Sequence, residues 1–111
     1  MKKKAAVKKA PVKKAAPAGP LKMSFGGAIY QAQHGGNKIA RLGWNGTGMF
    51  VVWIPGSKVK LEPGSAYGKL FPTRKTMTIG GHFDMFTAQR TMQPGWLASQ
   101  ADMAADDWVI V

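Results

Sequence analysis

Lys38-Ile39-Ala40-Arg41-Leu42-Gly43-Trp44-Asn45-Gly46-Thr47-Gly48-Met49-Phe50-Val51-Val52-Trp53-Ile54 decides the fold class. Its two ends, 38–42 and 49–54, carry apolar and β-branched residues and read as strands, the second the more buried. Between them, Asn45-Gly46 supplies the positive-φ positions of a tight hairpin loop, and Trp44 stands beside that turn at a sheet end. Pro55-Gly56 stops the second strand. Upstream, Ser24 is placed to cap a helix whose apolar positions Phe25, Ala28, Ile29 and Ala32 recur at helical spacing, with Gly35 or Gly36 ending it. Downstream, 57–73 is rich in Gly, Pro and Ser and reads as a surface segment with one short strand at 59–61. Residues 75–79 set Met77 and Ile79 against Thr76 and Thr78, the alternation of a half-buried strand. Across 82–87, Phe83 and Met85 share one face, with His82, Asp84 and Phe86 on the other. Pro94-Gly95 turns the chain and presents Trp96. Ser99-Gln100-Ala101-Asp102 is a capping-box pattern opening a short helix through about Asp106, and 108–111 closes the chain as a strand. The expected fold is α+β: a small antiparallel β-sheet with an N-terminal helix and a short C-terminal helix. Residues 23–111 hold all four tryptophans and more apolar strand surface than one small core hides, so a homo-oligomer is expected.

The charge divides the chain into two physical objects. Of 16 Lys and Arg residues, eight lie in residues 1–22, and all five acidic residues lie beyond them. The tail therefore carries +8, while eight cations against five carboxylates leave residues 23–111 at +3. Lys, Ala and Pro dominate the tail, which cannot bury enough apolar surface to offset its ordering entropy and is expected to be disordered. Its lysines suit weak, non-specific nucleic acid contact through counterion release, without base stacking, since no aromatic interleaves them. The chain has no cysteine, so disulfides and zinc-thiolate sites are excluded. No apolar run is long enough for a bilayer, and no secretory h-region follows the basic start. A cytoplasmic protein with no membrane partner is expected.

Enzyme signatures are missing: there is no phosphate-binding Walker loop, no Gly-x-Ser-x-Gly elbow and no cysteine nucleophile. His82 and Asp84 sit two apart on one strand face and could orient an acid–base pair, or simply brace a strand end. Asp106-Asp107 follows a short helix, where the helix dipole disfavours negative charge. Trp44, Asn45, Trp96, Ser99 and Asp107 fall at element ends, where binding sites form. An indole face suits a purine, and Asn, Ser and Asp suit ribose hydroxyls and base edges. On the residues alone, the plainer reading is that both tryptophans are core.

Two longer motifs narrow the alternatives. Phe25-Gly26-x-Ala28-Ile29 followed by Lys38-Ile39-Ala40-Arg41-x-Gly43-Trp44-Asn45-Gly46-x-Gly48-Met49-Phe50 resembles the N-terminal half of the Thoeris anti-defence 2 family. His82-Phe83-Asp84-Met85 and Pro94-Gly95-Trp96-Leu97-Ala98-Ser99-Gln100-x-Asp102-Met103-x-Ala105-x-Asp107-Trp108 resemble its C-terminal half. The resemblance implies a phage-encoded homotetramer that sequesters cyclic ADP-ribose-type immune signals (glycocyclic ADP-ribose) without degrading them. Some members also bind cyclic oligonucleotides at a separate site. By the same resemblance Trp44 and Trp96 would flank the base, and Asn45, Ser99 and Asp107 would meet ribose and phosphate. Phe50 and Ala98 complete the implied ligand set. No catalytic residue, metal or cofactor is implied. Four features depart from the family pattern: the basic tail, Gln89-Arg90 in place of an Asp/Asn-Gly turn, Phe86 in place of a lysine or other polar residue, and the 57–73 loop, which matches only at its start. The competing functions are a DNA-associated protein acting through its tail and a nucleotide hydrolase using His82 and Asp84.

Overall fold

The computed structural model describes residues 21–111. The tail expected to be disordered therefore lies outside the described residues, apart from Leu21 and Lys22. Helix α1 (Phe25–Gly35) begins where the Ser24 side chain accepts the Gly27 N–H, and it ends at Gly36 in the left-handed region at φ 67°. Ala28 and Ala32 are its buried residues, so small side chains let the helix lie close against a sheet.

That sheet has five antiparallel strands in the order β6-β5-β2-β1-β7. They are β1 (Ile39–Arg41), β2 (Phe50–Ile54), β5 (His82–Phe86), β6 (Met92–Pro94) and β7 (Trp108–Ile110). Ile39 faces Val51 across one seam and Ile110 across the other. Met23 exchanges backbone hydrogen bonds with Trp108 at 2.8 and 3.2 Å, covering part of the edge of β7. Ile39, Val51 and Trp108 point at α1 and form the core with Ala28 and Ala32. Phe83 and Met85 pack onto it from β5, on the face their alternation predicts. Trp108 is fully buried, and burial of one such ring is worth about 3 kcal/mol.

Three local expectations are corrected. The β1–β2 connection is wide rather than tight, and neither Asn45 nor Gly46 adopts positive φ. Tertiary contacts override the Asn-Gly preference: the Gly43 N–H is held by Asp107, and Trp44 folds back onto Trp96 and Trp108. The 57–73 segment is more ordered than its composition predicts. It contains β3 (Ser57–Lys60) and a short helix α2 (Ala66–Leu70) capped by Ser65. The local signal for α2 is Ser65, whose side chain accepts the Gly68 N–H, and Gly68 itself abuts the Glu62 carbonyl so closely that any Cβ would collide with it. Finally, β4 (Thr76–Ile79) joins β3 in a separate two-stranded ribbon instead of the main sheet. Helix α3 (Gln100–Ala104) opens with the expected capping box, Ser99 and Asp102 each bonding the other's backbone.

Candidate functional site

Opposite α1, alternate residues of the five strands form a second face. Val109 pairs with Ala40 and Phe50 with Phe86, so these four fall on one line across the sheet. The methyl group of Ala40 is too small to fill the space between its neighbours. A hollow of about 490 Å³ opens there, walled by Phe50 and Phe86 and reaching Trp44 at the sheet end. The two phenyl rings stack at 5.1 Å between centroids and 23° between planes.

Two cations stand over this stack. Lys38 Nζ lies 5.0 Å from the Phe50 centroid, and the Arg90 guanidinium lies 5.8 Å from that of Phe86. Each gains a cation–π attraction, yet both remain on the rim of the hollow with no carboxylate paired to them among the described residues. Arg90 is the last of the three residues between Thr87 and Thr91 in the β5–β6 loop, at φ 66°, the one non-glycine with positive φ among the described residues. Its N–H donates to Thr87 O, and Thr87 N–H donates to Thr91 O, closing a three-residue hairpin. Glycine normally takes that place.

A second cluster holds Trp44 from behind. Arg41 donates from Nε to Asp107 Oδ1 at 2.9 Å and from Nη1 to Asp102 Oδ1 at 3.0 Å. Trp44 Nε1–H donates to the same Asp102 oxygen at 3.0 Å, and Trp108 Nε1–H to the Asp102 carbonyl at 2.9 Å. Asp107 Oδ2 accepts the Gly43 N–H at 2.8 Å. The Arg41 pairing, with help from Gly43, holds the Asp107 carboxyl below the usual range. Burial alone would raise Asp102, but hydrogen bonds from Trp44, Arg41 and Ser99 together outweigh it and lower it instead. Hydrogen bonds to Asp107 and Asp102 raise Arg41 in turn, so all three groups are charged at neutral pH.

Five of the seven sequence-predicted residues thus separate into two groups, and two fall outside both. Trp44 and Phe50 line the hollow. Trp96, Ser99 and Asp107 belong to the cluster behind Trp44: Trp96 sits edge-on to it at 6.4 Å, and Ser99 fixes Asp102 through the capping box. Asn45 is exposed on the loop, and Ala98 is half-buried ahead of α3. Sequence reasoning missed Lys38, Phe86, Arg90, Arg41 and Asp102. The Asp102 role was within reach, since a capping-box carboxylate has a spare oxygen. The convergence of Lys38, just before β1, and Arg90, in the β5–β6 loop, on one hollow was not.

A family model for the Thoeris anti-defense 2-like domain matches residues 23–111. The chain belongs to the Thoeris anti-defence 2 family. It is also 31% identical over 90 residues to Thoeris anti-defense 2 of Bacillus phage SP01, covering 81% of this chain and 96% of that protein. Within the family frame, the motif built on Gly43-Trp44 is the loop that Asp107 and Asp102 anchor. Among the described residues no helix is long and apolar enough to cross a membrane, and no group of three or more His, Asp or Glu could hold a metal ion.

Proposed function

We propose that this chain is a phage anti-defence protein that binds and holds a cyclic ADP-ribose-type signal, glycocyclic ADP-ribose, in the bacterial cytoplasm without breaking it. The observation that carries the reading is the hollow in which Lys38 and Arg90 flank the stacked Phe50 and Phe86 beside Trp44. Aromatic faces suit an adenine ring, and unpaired cations suit a pyrophosphate. Arg41 contributes little charge there, because two carboxylates neutralise it. Trp96, Ser99 and Asp107 act as positioning residues that set the Trp44 ring, while Asn45, exposed on the loop, and Ala98, ahead of α3, count as ligand contacts because the family resemblance implies them. The protein works as a homotetramer, as the family resemblance implies, and needs no cofactor. Cyclic oligonucleotides are a second ligand class for the same protein.

The hydrolase reading rests on His82 and Asp84, which are 3.1 Å apart. Both are otherwise engaged: His82 Nδ1 meets the Gly80 carbonyl at 2.8 Å, and Asp84 Oδ1 accepts the Gly95 N–H at 3.0 Å. Such bonds brace the turn that carries Trp96. Incubation with glycocyclic ADP-ribose, removal of free ligand and heat denaturation should release the intact nucleotide in stoichiometric amount, read by mass spectrometry. Release of a linear product would favour the hydrolase, and recovery of no nucleotide would overturn the sequestration reading.

A further inference from the structure

The excess positive charge of the domain is concentrated in one place. Residues 57–76 carry Lys58, Lys60, Lys69, Arg74 and Lys75 against Glu62 alone, a net +4. The rest of residues 23–111 holds three cations and four carboxylates, a net −1. All of this charge lies on the β3–α2–β4 arm, whose two strands pair only with each other. Its one ion pair among the described residues is the exposed Lys60–Glu62 contact at 3.8 Å.

The register organises these cations. Lys58 faces Thr78 and Lys60 faces Thr76, and all four side chains are exposed on one side of the ribbon. Val59, Met77 and Ile79 occupy the other side, half-buried. Lysines two apart on a strand stand roughly 7 Å from each other, with a hydroxyl across from each. At the base of the ribbon, Lys60, Arg74 and Lys75 rim a hollow of about 520 Å³ with an apolar floor of Leu61, Pro63 and Pro72. Phe71, at the end of α2, is 40% exposed and lines an adjoining hollow that shares Leu61, Pro63, Pro72 and Arg74 with this one, and Tyr67, on α2, is 52% exposed. Cations that track a backbone, combined with exposed aromatic faces, are the two components of single-strand binding. The apolar-floored hollow has room for an unstacked base, which a duplex does not present.

We propose that the β3–α2–β4 arm is a binding surface for single-stranded nucleic acid. It is separate from the hollow beside Trp44, and it reads unpaired bases where the lysine tail reads only charge. The test uses the full chain and a fluorescein-labelled 20-nucleotide oligothymidylate, with a 20-base-pair duplex as comparison, by anisotropy across a salt series. Replacing Lys58, Lys60, Arg74 and Lys75 together by Gln should weaken oligothymidylate binding at least tenfold at 0.1 M salt. The slope of log K against log salt should fall by about 3, since each phosphate contact on a single strand contributes about 0.7. Tyr67→Ser should weaken the single strand about fivefold or more with an unchanged salt slope, and should leave the duplex within twofold. These side chains lie outside the core, so melting of each variant should match the parent. An unchanged slope in the quadruple variant would assign all binding to the tail and overturn the proposal. So would equal losses for single strand and duplex on Tyr67→Ser, or displacement of the oligonucleotide by an equimolar cyclic dinucleotide, which would make the arm a small-ligand site. Binding of glycocyclic ADP-ribose should be unaffected in every variant, so failure here leaves the function proposed for the other hollow standing.

Discussion

Arg90 is the residue whose placement is hardest to explain by stability alone. A left-handed conformation costs a side-chain-bearing residue about 1–2 kcal/mol that glycine avoids. The cation–π contact with Phe86 returns about 0.5–1 kcal/mol. Arg90→Gly should therefore leave the melting temperature unchanged or slightly higher, while weakening nucleotide binding at least tenfold through the lost charge-assisted bonds. Calorimetry and thermal melting on the same sample check both directions, and a variant that melts higher and binds as tightly would remove Arg90 from the site. Gly48 depends on this arrangement. It sits at φ 77°, and a Cβ there would run into the Arg90 guanidinium. Gly48→Ala should thus perturb binding as well as the loop. At Trp44, the ring touches the hollow while the indole N–H serves Asp102. Trp44→Ala should weaken nucleotide binding by about 1–3 kcal/mol, the usual worth of base–aromatic stacking. Trp96→Ala should lose less, because its contact with the hollow runs through Trp44. Equal losses at the two positions would mean that both rings touch the ligand.

At the scale of elements, the decisive joint is the one between α3, β1 and the loop after β1. Asp102 belongs to the α3 capping box and also receives Arg41 and Trp44, so one carboxylate ties a helix start to a strand end. Arg41→Ala would leave two partly buried carboxylates facing each other without their cation, and should cost about 3 kcal/mol in urea unfolding. Acid should act in the same direction. Asp102 and Asp107 are both held below their ordinary value near 4, so the unfolded chain binds more protons than the native one as pH falls. Their stabilisation is complete above about pH 5 and is lost as pH drops through and below 4. Urea midpoints should be level from pH 7 to about 5.5 and then fall. Asp102→Asn with Asp107→Asn should start lower and fall less steeply. A parallel acid limb in that double variant would assign the pH dependence to other carboxylates.

For the whole molecule, the sheet and α1 bury one face, while large apolar side chains remain on the outside. Leu97 is 89% exposed, Leu70 68% and Tyr30 62%. This surface fits the proposed tetramer, and light scattering at micromolar concentration should return about four times the chain mass. A stable monomer would overturn both the tetramer and any pocket completed by a second chain. Residues 1–22 carry eight of the 16 Lys and Arg residues and none of the residues that line the hollow, so deleting them should keep nucleotide affinity within about threefold. It should also remove most salt-sensitive duplex binding.

Local patterns determined much by themselves: α1 with its Ser24 cap and Gly36 stop, β2, β5 and β7, the α3 capping box and the faces of Phe83 and Met85. Each depends on a side-chain period or a short-range hydrogen bond, and both are written along the chain. The motifs around Trp44 and Trp96 likewise carried the family. Tertiary structure alone decided the rest. The loop at Asn45-Gly46 opened because the Gly43 N–H bonds a carboxylate 64 residues away. β4 left the main sheet for β3, a choice between partners that strand alternation does not encode. Asp107 became a bracket for Arg41, and Lys38 met Phe50 while Arg90 met Phe86, because strand register brought residues distant in sequence to one line across the sheet. Contacts of that kind depend on which strands become neighbours, and only the folded chain settles that order.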